Sequence, residues 1–145
     1  MILLMILYTL NFYNPAMAAD APFSVSLNLL KPIAISEVRS LAFPNTNIGI
    51  STDLIVPFND ENAAEFQLVG SANTNIVSTV IEKSISISAP GASKPVLVDN
   101  FTVNAPLALN DKGKGTVGVG GTAHINNDSE DGNYIGSATL RIIYQ

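Results

Sequence analysis

The 145-residue chain is 47% hydrophobic and 13% charged, with a formal net charge of −5 and seven Lys and Arg. That is one domain's length, with enough apolar material for a core and too little charge for a disordered chain. The acidic balance argues against nucleic acid as a partner, and the absence of cysteine excludes disulfides, thiolate metal sites and cysteine nucleophiles.

Met1 to Leu10 is almost wholly apolar, Asn11 to Pro15 breaks the run, and Ala16-Met17-Ala18-Ala19 supplies a small-residue cleavage site. The run is too short to span a bilayer, so residues 1–19 are expected to be a secretory signal peptide, with the exported chain beginning near Ala19 or Asp20. No Lys or Arg lies in this first segment, and a retained membrane anchor is the competing reading.

Next comes a segment of period two. Phe23, Val25, Leu27 and Leu29 fall on one side, and Ser24, Ser26 and Asn28 on the other. Lys31-Pro32 interrupts it, and Ile33-Ala34-Ile35 resumes the odd-numbered register. Pro32 has no N–H to give a ladder, so it belongs at a strand edge or between two strand segments. Residues 20–31 read as an N-terminal arm and 32–145 as the domain, whose first strand is expected from about Ile33 to Val38. One long edge strand of an ordinary sandwich is the alternative.

Further strands are expected at Leu54–Phe58, Ala64–Gly70, Ile76–Ile81 and Ser84–Ser88. Two apolar triplets follow, Val96-Leu97-Val98 and Phe101-Thr102-Val103, split by Asp99-Asn100. Leu107–Leu109 is a short piece, and Val117–Ile125 a glycine-interrupted strand. Turn residues separate them: Pro44-Asn45-Thr46-Asn47, Asn59 to Asn62, Ser71 to Asn75, Ala89 to Ala92, Asn110 to Gly115 and Asn126 to Asp131. The final stretch, Gly132 to Gln145, reads as one strand. Tyr134, Gly136, Ala138, Leu140, Ile142 and Tyr144 make its apolar face, and Ile135, Ser137, Thr139, Arg141 and Ile143 a mixed one. Short strands at regular spacing without a helical period predict an antiparallel β-sandwich.

Little in the residue types points to chemistry. His124 is the sole histidine, has no paired Ser or Cys motif, and is expected to be structural. Gly113, Gly115 and Gly118 satisfy G-x-G-x-x-G, but a β-like Val-Gly-Val-Gly-Gly follows where phosphate binding needs a helix N-terminus. Asn126, Asp128 and Glu130 imitate part of a calcium loop, yet the glycine comes one place late and the bidentate Glu is missing. A solvated turn is expected there. Asn100-Phe101-Thr102 and Asn127-Asp128-Ser129 match the glycosylation sequon. No catalytic residue, metal or cofactor is expected.

Gly132 lies fourteenth from the C-terminus and Tyr144 is penultimate, a pairing that resembles the C-terminal signature of chaperone–usher pilus subunits. Val119-Gly120-Gly121-Thr122, then Gly132-x-Tyr134-x-Gly136 and Tyr144, resemble more closely the pilin-like domain-of-unknown-function 4402 family. Upstream, Pro32-Ile33 with Leu41-x-Phe43 and the Ala64-x-Phe66 to Val69-Gly70 stretch extend the likeness. Pro44 stands where that family usually has glycine, and the arm lacks the glycine of many donor strands. The resemblance implies an immunoglobulin-like β-sandwich lacking its last strand and completed by donor-strand exchange. On that reading Phe23, Val25, Leu27 and Leu29 enter the groove of the next copy, and the Tyr134–Tyr144 face flanks the groove. It further implies a non-enzymatic, extracellular pilus subunit exported through the periplasm, with other copies of itself, a periplasmic chaperone and an outer-membrane usher as partners. A secreted β-sandwich that binds as a complete monomer is the second reading.

Overall fold

The computed structural model describes residues 19–145, so the expected signal peptide lies outside the described residues except for Ala19. The strands are β1 (Ala34–Arg39), β2 (Thr52–Val56), β3 (Ala64–Val69), β4 (Ile76–Val80), β5 (Ser84–Ile87), β6 (Val96–Asn104), β7 (Lys114–Ile125) and β8 (Leu140–Tyr144). No helix occurs among the described residues. One sheet runs β1-β3-β7-β6-β5, with β2 also paired to β7; the other is β4-β8. Every ladder is antiparallel, and β4 packs over β6. The architecture is the all-β antiparallel sandwich the strand spacing predicts.

β7 is the central strand, and its glycines explain the topology. β3 pairs with its first half, from Lys114 to Val119, and β2 with its second, from Gly121 to Ile125, along the same edge. The connection between β2 and β3 must therefore leave the ladder and return. It does so across the outer face of β7. A Cβ on Gly120 would lie 2.2 Å from the Val56 carbonyl oxygen and 2.6 Å from the Phe58 nitrogen, and one on Gly118 would lie 2.4 Å from the Phe58 carbonyl oxygen. Only bare backbone admits that crossing. On the inner face Val117, Val119 and Ala123 are buried.

Two apolar clusters fill the space between the sheets. Ala64, Leu68, Ile76, Leu109, Val117 and Val119 form the larger. Val96, Val98 and Ala123 form the smaller, and Phe101 packs against both. The triplets Val96–Val98 and Phe101–Val103 are one strand, not two. Asp99 pairs with Thr122 and Thr102 with Gly120, so Asn100 and Phe101 together face Gly121 in a bulge. Asn100 takes a positive φ of 47° there, which Asn tolerates.

The C-terminal strand is shorter than Gly132–Gln145. Only Leu140–Tyr144 pairs with β4. Residues 132–139 cross from one sheet to the other, touching the end of β5 by a bridge between Ser88 and Ile135. Gly136 lies so close to Ile87 that a Cβ would sit 2.4 Å from its Cγ2. Period-two alternation continues through the crossing, but alternation alone supplies no ladder partner.

Replacing Gly120 by Ala is expected to destabilise the fold by about 3 kcal/mol, because the added methyl must displace the backbone of residues 56–58. Guanidinium unfolding measures this, and an unchanged midpoint would remove the crossing argument.

Candidate functional site

The site is the side of the sandwich that the second sheet does not reach. That sheet has two strands. β4 contacts β6 and pairs with β8. Leu140, Ile142 and Tyr144 of β8 pack against the cluster that holds Leu68 of β3, so β8 lies toward the β3 side. Its second edge is without a ladder partner among the described residues. β1 pairs only with β3, and its other edge is also without a ladder partner among the described residues. Unpaired main-chain N–H and C=O groups thus line the opening from both strands.

The side chains on the floor report the same gap. Ile35 stands directly opposite Leu68 in the β1–β3 ladder, so the two share a face. Leu68 is fully buried, while Ile35 is 41% exposed. Nothing in the β4–β8 sheet covers it. Ile33, Phe66, Leu140, Ile142 and Tyr144 also pack against the larger cluster while remaining only partly buried. Glu37, opposite Phe66, brings one carboxylate to this face, where it accepts a hydrogen bond from Ser40 Oγ at 2.6 Å.

β8 is held at both ends. At its start, Glu82 accepts hydrogen bonds from Thr139 N at 2.7 Å and Thr139 Oγ1 at 2.9 Å. The Thr139 amide, the glutamate's own amide and the Thr139 hydroxyl hold that carboxyl below its ordinary range. At its far end, Tyr144 Oη accepts from Ser71 N and donates to the Lys31 carbonyl, both at 2.7 Å. Lys31 N in turn donates to Ser71 Oγ at 2.7 Å. Gly70 makes room, since a Cβ there would lie 2.3 Å from Tyr144 Oη.

Of the residues expected to flank the opening, Leu140, Ile142 and Tyr144 are brought together on the inward face of β8. Tyr134 instead packs with the smaller cluster, its hydroxyl donating to the Glu130 carbonyl at 3.0 Å. Gly136 and Ala138 are exposed in the crossing segment. Gly132 takes φ 152° against Ala89. The arm residues Phe23, Val25, Leu27 and Leu29 lie in no strand and are 81–85% exposed. They are not seated in the domain's own opening.

Elsewhere, His124 Nδ1 meets Asp53 Oδ1 and Nε2 meets Asp99 Oδ1, each at 2.7 Å. A ring between two carboxylate acceptors can donate to both only as imidazolium. Hydrogen bonds to Asp99 and then Asp53 raise its pKa above the ordinary value. The trio ties β2, β7 and β6 together. Neither aspartate was legible as its partner, because the pairing depends on cross-strand register. Gly113 has φ 71° in the turn before β7, with no helix behind it. Asp128 pairs with Lys94, and Glu130 accepts from Ser93 N and Oγ. That loop is tied to its neighbour, and no metal-binding group of acidic or His residues occurs among the described residues.

An all-β sandwich with one uncovered side and an exposed apolar arm is the class of molecule these features define. The chain belongs to the family described as Domain of unknown function (DUF4402), whose model matches residues 38–144. The match begins within β1 and closes on Tyr144, leaving the arm outside it. No curated protein and no solved structure matches the chain.

The His124 trio generates a pH dependence. Its folded pKa lies above the unfolded value of about 6.5, so its stabilisation is full below about pH 6.5 and is lost as pH rises through the folded pKa. Unfolding midpoints should fall across that rise in the wild type and stay level in His124→Gln. A wild-type profile as flat as the variant's would show that the two aspartates leave the histidine neutral.

Proposed function

We propose that the protein is a structural subunit of a bacterial surface pilus or fimbria. It polymerises head-to-tail by donating Phe23 to Leu29 to the opening between β1 and β8 of the next subunit. The observation that carries this reading is Ile35, exposed although it shares a face with buried Leu68. A strand laid beside β8 would cover it. The donor is supported by an amphipathic segment whose four large apolar side chains all face solvent. A soluble domain does not ordinarily leave such a row uncovered.

The physics is strand addition. Ladder hydrogen bonds to a free edge supply affinity, and alternate side chains supply register. Burying four such side chains at about 1.5–3 kcal/mol each contributes about 6–12 kcal/mol before entropy costs. Because arm and opening are different surfaces, the contact is heterologous and builds a filament, not a closed dimer. Before assembly the open edge needs protection, the role this reading gives to a periplasmic chaperone, with an outer-membrane usher ordering the hand-over. The resemblance of Gly132 and Tyr144 to the pilus-subunit signature supports the same role. No catalytic function is proposed.

Leu27→Asp should abolish polymer while leaving export intact, because a carboxylate would have to enter an apolar groove. Electron microscopy of sheared surface material is the measurement, and filaments of normal length would refute the donor assignment. Joining residues 21–30 after Gln145 through a flexible linker should yield a soluble monomer whose melting temperature is higher by about 10 °C or more. No gain over the unfused chain would count against a missing strand, and would favour a sandwich complete as a monomer.

A further inference from the structure

Within that reading, we infer that Tyr144 is a positioning residue that couples the receiving groove of a subunit to the base of its own donating arm. Lys31 is where the arm joins the body. Both its main-chain groups are engaged: N–H donates to Ser71 Oγ and C=O accepts from Tyr144 Oη, each at 2.7 Å. The same tyrosine oxygen accepts from Ser71 N, closing a three-residue latch. Pro32 restricts Lys31 to extended backbone, so a fixed Lys31 sets the direction in which residues 20–30 leave.

Tyr144 is also the last residue of β8, the strand whose free edge borders the opening. Its ladder partner there is Ile76 on β4, and its ring packs with the larger core cluster while staying partly exposed. A strand with one neighbour opens more readily than one with two. An occupant laid along β8 gives it a second ladder, steadies Tyr144, and through its hydroxyl steadies Lys31. The fit over bare Gly70 makes the hydroxyl's position specific. A subunit with a filled groove thus presents its arm from a firm base, while one with an empty groove holds it loosely. Growth is biased toward subunits already incorporated, and the coupling is reciprocal.

The test uses the Leu27→Asp chain, which cannot donate and so keeps its groove free, titrated with a synthetic peptide of residues 20–31 and followed by amide hydrogen exchange. Peptide binding is expected to slow exchange of the Lys31 and Ser71 amides about tenfold. Adding Tyr144→Phe keeps the ring and removes both hydrogen bonds. It should abolish that slowing at position 31 and weaken the peptide about tenfold by reciprocity. Peptide that binds without slowing Lys31, or that slows it equally in the Phe variant, overturns the coupling and leaves the donor reading standing. Peptide that does not bind overturns both. Should Tyr144→Phe fail to fold, Ser71→Ala reports instead. It removes the acceptor for Lys31 N–H but keeps Tyr144 Oη between the position-71 amide and the Lys31 carbonyl, so peptide should still slow exchange at position 71. An amide at position 71 that the bound peptide leaves unprotected in that variant also overturns the coupling.

Discussion

One mismatch governs this molecule. The inner face of the larger sheet is wider than the two-stranded sheet laid over it. At the covered side Leu68 is sealed; one strand away Ile35, on the same face, meets water. Hydrophobic burial is proportional to the area removed from water. A side of the core left partly wet is therefore a standing free-energy source for whatever covers it. The free ladder edges of β1 and β8 add direction to that source, because main-chain groups accept a strand and not a helix or a loop.

The rest of the architecture keeps that side open without losing the fold. β7 is pinned from both edges and buried, and its glycines let the β2–β3 connection cross outside it instead of filling the core. Residues 132–139 carry the chain to the second sheet, where β4 is the only ladder partner of β8 among the described residues. The His124 trio staples β2, β7 and β6 together on the outer face and so acts on stability. In the proposed role, this division lets the subunit persist while one edge waits for a partner.

In the proposed role, the arm and the opening are opposite halves of one contact between copies, both carried on the same chain. An apolar row on an extended, exposed segment carries a large burial energy and a large ordering cost. Anchoring its base at Lys31 lowers the second without touching the first. In that role Tyr144 belongs to both halves: its ring packs against the larger core cluster and its hydroxyl donates to the Lys31 carbonyl at the base of the arm.

Alternation by itself determined much of this. The odd-numbered register of Ile33 and Ile35 and the inward set Leu140, Ile142 and Tyr144 were legible, because side chains on a strand must alternate. So were the turns, whose Asn, Gly and Pro residues carry their own backbone preferences. Ladder partners were not legible. Nothing local tells Gly132–Thr139, which alternates as well as β8 does, that it will cross between sheets. Nor does anything local place Tyr134 in the smaller cluster, or set Asp53 and Asp99 beside His124. Those depend on register between segments far apart in the chain, which only the packed sheets decide. The sequence thus determined which faces are apolar. The tertiary structure alone decided which of them is left uncovered, because coverage belongs to a pair of sheets and not to a strand.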